Sequence, residues 1–475
     1  MSKKRPNVIF ILTDDHASHA MSCYGSVLNE TPQLDRIANN GVRFDNCFCT
    51  NSLSGPSRAS ILTGQHTHIN GVTTLDTGLD NRRMTYIKLL RDAGYQTGIV
   101  GKWHLGHGKE YEPTGFDYWE VLPGQGDYIN PKFYKMGEEV QYDGYVTNII
   151  TDLSLDYMKN RDKDQPFCLL CHHKAPHRWW IPDEKYKDLY EDIELPVPET
   201  FDDDYTNRAR AASVAEMRID RDLKERDIKM PVPEGLSREE RKHWLYQRYI
   251  RDYLKCVKSV DDSVGQILDY LEEEGIADDT IVVYSSDQGF FLGDHGWYDK
   301  RFMYEESLRM PFIMQYPNGF DKEQANDDII TNVDFAPTLL ELCGVEVPEE
   351  MQGTSFVPIL EGTTPDDWQQ SMYYRYWMHL NQHNVYSHYG VRTKDYKLIF
   401  YYADHCDQPG ALKDLRTPEW ELFDLKKDPC EMNNVYHDSA YADVIKELKA
   451  ELRHLQDKFQ DTPSEREALP TAVPY

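Results

Sequence analysis

The residues of this chain with the types and spacing to do chemistry come in small groups: Ser54 with Arg58, Asp14 with Asp15, Lys102 with His104, His177, and Asp287 with Gln288. Ser54 stands just ahead of Pro56, which suits a first helical turn because its missing N–H would have no partner there, and Ser57 to Leu62 can continue the helix. Ser54 then sits over free backbone amides, and Arg58 adds a full positive charge to a helix end that already attracts anions. Two readings stay open at this point, a plain helix cap and a nucleophile facing an oxyanion. Asp14 and Asp15 repel one another, which fits either a bound cation or a solvated turn. Together with Asp287 and Gln288 they form an all-oxygen set that suits a hard ion, calcium before magnesium, and disfavours zinc.

The elements that must carry these groups are short apolar runs. Pro6 to Leu12, Tyr95 to Val100, Phe167 to Cys171 and Ile281 to Ser285 read as strands buried on both faces of a parallel sheet, and Phe312 to Tyr316 as a further strand. Each of the first four runs straight into one of the reactive groups. In an open parallel sheet the carboxyl ends lie along one edge, so residues far apart in sequence converge there. Helices are expected over Thr31 to Asn40, Met84 to Ala93 and Asp334 to Leu342, and a capping box at Ser237-Arg238-Glu239-Glu240 opens a long one ending near Gly275. Val42 to Phe48 reads as a strand feeding the Ser54 loop. The highly charged stretch Ile193 to Met230 reads as an insertion over one face.

The full spacing Ser54-x-Pro56-Ser57-Arg58-x-x-x-Leu62-Thr63-Gly64 resembles the signature of the formylglycine-dependent (type I) sulfatases, in the variant whose modified residue begins as serine. Gly-Tyr-x-Thr-x-x-x-Gly-Lys-Trp-His, ending at His104, resembles the second signature of that family, and the likeness runs from the opening strand through Lys300 to Glu431-Met432-Asn433-Asn434. The resemblance implies an alkaline phosphatase-like α/β fold: a large, mixed, mostly parallel central sheet flanked by helices, with a smaller C-terminal α+β subdomain. It implies that Ser54 is oxidised to formylglycine by a serine-type sulfatase-maturing enzyme, and that Asp14, Asp15, Asp287, Gln288 and the modified Ser54 hold one divalent cation, Ca2+. Gln288 replaces the more familiar asparagine. Arg58, Lys102, His104, His177 and Lys300 are then catalytic: Arg58 stabilises the aldehyde hydrate, Lys102, His177 and Lys300 hold sulfate oxygens, and His104 takes the proton of the second hydroxyl. An unmodified serine would leave a slowly hydrolysed alkyl sulfate, whereas an aldehyde hydrate can attack with one hydroxyl and expel sulfate through the other.

The substrate implied is a sulfated saccharide, with the exo-acting removal of 6-O-sulfate from an amino sugar as the expected reaction. Tyr373 to Arg392 is rich in aromatics and histidines, so Arg375, His379, His383, His388 and Arg392, with His295, are expected to reach the sugar. Trp179 and Trp180 could stack on a ring or simply pack. The alternatives are a phosphatase or phosphonate monoester hydrolase of the same superfamily using unmodified Ser54, and a non-catalytic binding protein. The extra histidine and aspartate ligands of two-metal phosphatases find no place in the chain.

Composition agrees with a soluble enzyme. The 475 residues suffice for a large core plus a second subdomain, expected as residues 1–362 and 363–475 with the boundary near Glu361-Gly362-Thr363-Thr364-Pro365. The tail should add an antiparallel pair, Tyr389 to Thr393 and Tyr396 to Tyr402, a strand over Glu421 to Leu425 and a closing helix over Tyr441 to Phe459. A formal charge of -29 argues against nucleic acid and anionic membranes as partners. Nine scattered cysteines fit a reduced compartment, and Cys168-Leu169-Leu170-Cys171 reads as buried strand, not a redox or zinc motif. Lys3-Lys4-Arg5 precedes an apolar run too short for a secretion signal, so a cytoplasmic protein is expected, or a periplasmic one if a leader was removed.

Overall fold

Val8 to Leu12 has no polar residue to leave in water, and in the structure all five are fully buried. The structure, a computed structural model, describes residues 5–322 and 325–461. Lys3, Lys4 and the last residues of the expected second unit, 462–475, lie outside the described residues. In chain order the main strands are β1 (Asn7–Thr13), β2 (Val42–Arg43), β3 (Gln96–Lys102), β4 (Tyr118–Leu122), β5 (Lys132–Lys135), β6 (Glu138–Gln141), β7 (Phe167–His172), β8 (Thr280–Ser286) and β9 (Phe312–Gln315). They form one sheet in the order β2-β9-β8-β1-β7-β3-β4-β5-β6. The five central strands run parallel, and the edges are antiparallel.

The register aims the chemistry. Leu12 lies level with His172 and Ser285, and His172 with Gly101. The chain therefore leaves β1, β3, β7 and β8 along one edge, and Asp14, Lys102, His177 and Asp287 sit at those exits. Alternate residues of β1 serve two cores: Val8, Phe10 and Leu12 pack with Phe335 and Leu339, while Ile9 and Ile11 pack with Tyr253, Val257 and Val260 of the long helix. Truncating a side chain as fully enclosed as Phe10 would cost about 3–5 kcal/mol.

The main helices are α1 (Pro32–Asn39), α2 (Ser54–Thr63), α3 (Tyr86–Asp92), α4 (Val146–Lys159), α5 (Arg238–Glu273), α6 (Phe335–Leu342) and α7 (Ala442–Lys458). The expected capping box opens α5: Glu240 N–H donates to Ser237 Oγ at 3.2 Å, and Ser237 N–H donates to the Glu240 carboxylate at 2.8 Å. A second sheet of four antiparallel strands follows, β10 (Ser371–Tyr376), β11 (His388–Thr393), β12 (Tyr396–Tyr401) and β13 (Glu419–Asp424). Helix α7 closes over it through Leu448, Leu452 and Leu455.

Some elements differ from the sequence reading. Val42 to Phe48 is not one strand but two short pieces, Val42–Arg43 and Cys47–Phe48. Ser371–Tyr376 is an unforeseen strand whose six residues are all buried. The charged stretch after Ile193 contains two short helices, Arg210–Val214 and Glu225–Ile228, and it buries Met217 and Ile219 completely. Cys168 and Cys171 are buried free thiols on β7. Among the described residues, no helix is long and apolar enough to cross a membrane.

Candidate active site

Ser54 opens α2 as its first helical residue, one position later than the sequence reading has it, and every residue of this helix is buried. A helix so enclosed holds its first side chain rigidly. Ser54 Oγ donates to Asp14 Oδ1 at 3.0 Å, which joins the start of α2 to the end of β1. Arg58 lies beneath: its Nε donates to Asp287 Oδ2 at 3.0 Å, one terminal nitrogen donates to the carbonyl of Lys102 at 3.0 Å, and the other is 3.7 Å from Asp14 Oδ2. One guanidinium thus ties together the ends of β1, β3 and β8.

Two lysines and a histidine complete the cluster. Lys102 Nζ pairs with Asp14 Oδ2. Lys300 Nζ donates to both oxygens of Asp15, at 2.6 and 2.8 Å, and His177 Nε2 is 3.8 Å from Asp15 Oδ2. Asp15 N–H donates to Asp287 Oδ1 at 3.3 Å. The core residues expected from the sequence, Asp14, Asp15, Ser54, Arg58, Lys102, His104, His177, Asp287, Gln288 and Lys300, therefore meet at one sheet edge.

Burial and crowding distort the titration of this cluster. Burial opposes the charge on Asp14, yet Lys102, His177, Arg58 and Lys300 together hold its carboxyl well below the usual range. Asp15 goes the other way: burial, reinforced by Asp14, Asp287 and Asp299, pushes it up to about 8 against the pull of Lys300. Burial and the nearby Asp14 likewise push Asp287 up. Burial, followed by the charge of Lys102, drives His104 and His177 well below the ordinary histidine value, so both imidazoles are neutral.

This donor set fits a divalent cation. Gln288 donates its amide N–H to Asp15 Oδ1, while Gln288 Oε1 is buried with no hydrogen-bond partner among the described residues. An orphaned buried oxygen beside carboxylates is what a hard cation needs. Asp14, Asp15 and His177 bring ligand atoms within 4.8 Å of one another. His177 enters this group although the sequence set named no histidine. Asp287 stands one step back, its oxygens facing Arg58 and the Asp15 amide.

The expected sugar contacts lie elsewhere. Arg375 is buried against Asp461 at 2.6 Å and over the Trp377 ring. Arg392 is bound to Glu305, and His295 to Asp203 at 2.8 Å. His379 bonds the Asp414 carbonyl and Ser387, and His388 is stacked among Phe302, Tyr374 and Tyr376. The atoms named here meet protein groups because β10 and β11 are interior, although His295 Nε2, His388 Nε2 and Arg392 Nη1 have no hydrogen-bond partner among the described residues. His383 alone borders the cluster: its Nε2 is 3.2 Å from Asp299, whose Oδ1 accepts the Lys300 N–H. Trp180 is fully buried among Tyr249, Phe290 and Tyr298, so it is a packing residue.

Sequence reasoning missed two participants. Gln125, on the turn after β4, donates its amide to His104 Nε2 at 3.2 Å and accepts from Lys102 Nζ. Lys174 donates to the Gln125 carbonyl at 3.1 Å, and burial pushes its ammonium down to about 7. Lys174 follows β7 directly, so its position at a strand end was a usable signal; Gln125 had none, because β4 was not recognised. A cavity of about 310 Å³ opens beside His104, lined in part by Trp103, His107, Tyr111, Trp119 and Tyr134.

Comparison with known proteins agrees with this geometry. Residues 6–345 match the family model described as sulfatase, and residues 293–458 match that of the N-sulphoglucosamine sulphohydrolase C-terminal region. The chain is 44% identical to an N-acetylglucosamine-6-O-sulfatase of Bacteroides thetaiotaomicron, covering 98% of this chain and 89% of that protein. It is 28% identical to human N-acetylglucosamine-6-sulfatase, over 78% and 67% of the two chains. A solved structure of a protein in complex with its substrate D-glucosamine-2-N,6-O-disulfate superposes with a TM-score of 0.91 at 43% identity, covering 98% of this chain and 100% of that one. A phosphonate monoester hydrolase of Agrobacterium radiobacter shares the fold, with a TM-score of 0.73 at 20% identity over 96% of each chain.

Proposed function

The chain belongs to the sulfatase family, a group of sulfuric ester hydrolases, and from that premise we propose that it removes 6-O-sulfate from an N-substituted glucosamine at a chain end. The observation that carries this reading is Ser54 Oγ, 3.0 Å from Asp14 in a cluster that also gathers Arg58, Lys102 and Lys300. The 44% identity to an N-acetylglucosamine-6-O-sulfatase over nearly the whole chain supports the choice of sugar and position.

Oxidation of Ser54 by a serine-type maturing enzyme would supply an aldehyde hydrate able to attack sulfur and then release sulfate. Asp14, Asp15, Asp287 and Gln288 would hold the cation, with Ca2+ favoured by carboxylate and amide oxygens, and that ion would supply Lewis acidity at a sulfate oxygen. Arg58 holds Asp287 and Asp14, the partner of Ser54 Oγ, and would steady the side chain at position 54 through them. Lys102 and Lys300 set positive charge where the sulfate oxygens gain negative charge, in an interior where such charge is weakly screened. His104 is neutral at physiological pH and therefore able to take a proton. His177 donates from Nδ1 to the Arg178 carbonyl at 2.7 Å, so only its Nε2 is open to the substrate. Lys300 keeps its proton, because Asp15 and Asp299 outweigh the burial that opposes the charge, and it is placed to donate to the departing alcohol, whereas His177, neutral with its proton on Nδ1, can only accept at Nε2.

Sulfate release by the matured enzyme from a panel of 2-O-, 3-O-, 4-O- and 6-O-sulfated amino sugars, alone and at the ends of disaccharides, tests the proposal. Preferential turnover of the 6-O-sulfated amino sugars is expected. Turnover of another position, or of phosphonate monoesters in preference to all sulfates, would overturn it.

A further inference from the structure

Gln125 is held unusually firmly for a turn residue. It lies in Pro123-Gly124-Gln125-Gly126, where Gly124 and Gly126 have φ of +53° and +67°, and a Cβ at Gly126 would come within 2.8 Å of Leu122 Cδ1. Other residues would strain this turn. The buried Lys174 ammonium anchors it from the end of β7 by donating to the Gln125 carbonyl. The side chain thus projects from a fixed backbone onto the two groups at the end of β3.

An amide side chain offers one acceptor and donors on the other arm. The Lys102 ammonium can only donate, so Oε1 faces it, and the amide N–H is left for His104 Nε2 at 3.2 Å. In this arrangement the ring carries its proton on Nδ1, which is buried with no hydrogen-bond partner among the described residues. Turning the amide so that Oε1 accepts from both Lys102 Nζ and a His104 Nε2–H moves the lone pair to Nδ1, the nitrogen that no protein group occupies. One side chain therefore controls both the spacing of Lys102 from His104 and the choice of basic nitrogen.

We propose that Gln125 is a positioning residue for sulfate ester hydrolysis, holding Lys102 and His104 in a fixed relation and selecting the tautomer of His104. The inference rests on the roles given to Lys102 and His104 above. Gln125→Leu removes both bonds, and kcat should fall by roughly tenfold to a hundredfold, with KM changed less than threefold, as for loss of an oriented proton-transfer group. Gln125→Glu keeps an acceptor for Lys102 but fixes the ring as Nε2–H, which moves the basic nitrogen, so kcat should stay at least about tenfold below wild type.

The deciding readout is the 15N spectrum of histidine-labelled, metal-loaded enzyme, with the His104 signals assigned by difference against His104→Asn. A tautomer signature in Gln125→Glu different from wild type is expected. An identical His104 signature in wild type, Gln125→Leu and Gln125→Glu overturns the inference, as does a folded Gln125→Leu enzyme, checked by circular dichroism, with unchanged kcat. Failure of the proposed reaction would appear separately, as wild-type enzyme that releases no sulfate while the ring signals still respond to Gln125.

Discussion

Buried charge is arranged differently at the edge of the large sheet and around the four-stranded sheet. At the first, Asp14, Asp15 and Asp287 crowd together, Asp15 is pushed up to about 8, and Gln288 Oε1 and His104 Nδ1 are buried with no hydrogen-bond partner among the described residues. At the second, Arg375 faces Asp461 at 2.6 Å, Arg392 faces Glu305 at 3.1 Å, and Lys397 lies 2.9 Å from Glu305 and pairs also with Glu431. Both regions use the same residue types at nearly complete burial. What separates them is crowding: three aspartates converge at the edge of the large sheet although each has a cation partner, whereas around the small sheet each arginine faces its own carboxylate. Orphaned polar atoms occur in both regions, His388 Nε2 and Arg392 Nη1 having no hydrogen-bond partner among the described residues, so it is the crowding of carboxylates that marks a place that binds something.

Breaking the first region should abolish activity and leave the fold. Ser54→Ala removes the precursor of the nucleophile, and sulfate release should fall on the order of 10⁴-fold or more. Its melting curve should stay within about 1 kcal/mol of wild type. Lys102→Ala removes a cation from the sulfate-facing side and should lower kcat about 10²–10³-fold in steady-state assays.

Breaking the second should do the reverse. Asp461→Asn leaves Arg375 facing a neutral group and should cost about 3–5 kcal/mol in chemical denaturation, with kcat per folded molecule unchanged.

The smallest expected effect concerns pH. Asp15 and Asp287 have raised folded values, so metal-free enzyme loses stability as pH rises from the ordinary carboxylate value, through about 8 for Asp15. Asp461 has a lowered value: burial opposes its charge, but Arg375 and His68 outweigh it, so its stabilisation holds above roughly pH 4 and fades as pH falls further. Calcium added to chelator-treated enzyme should therefore raise the melting temperature more at pH 8 than at pH 5, by an amount equivalent to about 2–3 kcal/mol at saturating ion. An equal calcium shift at both pH values would contradict the contrast.

How much of this was legible in the sequence follows the same division. β1, β7 and β8 announce themselves as apolar runs and β3 by Ile99 and Val100 ahead of Gly101, and the groups at their ends need only the rule that parallel strands finish on one edge. The pairing of Arg375 with Asp461 spans 86 residues of sequence and that of Arg392 with Glu305 spans 87, so no local pattern reveals that these cations are already satisfied. Arginine and histidine beside aromatics look alike in sequence whether they face a sugar or a core. Gln125 was hidden for a related reason: β4 is a brief run, Tyr118–Leu122, interrupted by Glu120, and the turn after it carries no motif.

The mass of the tryptic peptide containing Ser54, from enzyme produced in a host that performs serine-type maturation, tests the central claim most directly. The account predicts a fraction lacking two hydrogens that rises in proportion to specific activity, with Ser54→Cys regaining activity in a host that matures cysteine. Full sulfatase activity in a preparation whose Ser54 is entirely unmodified would contradict it.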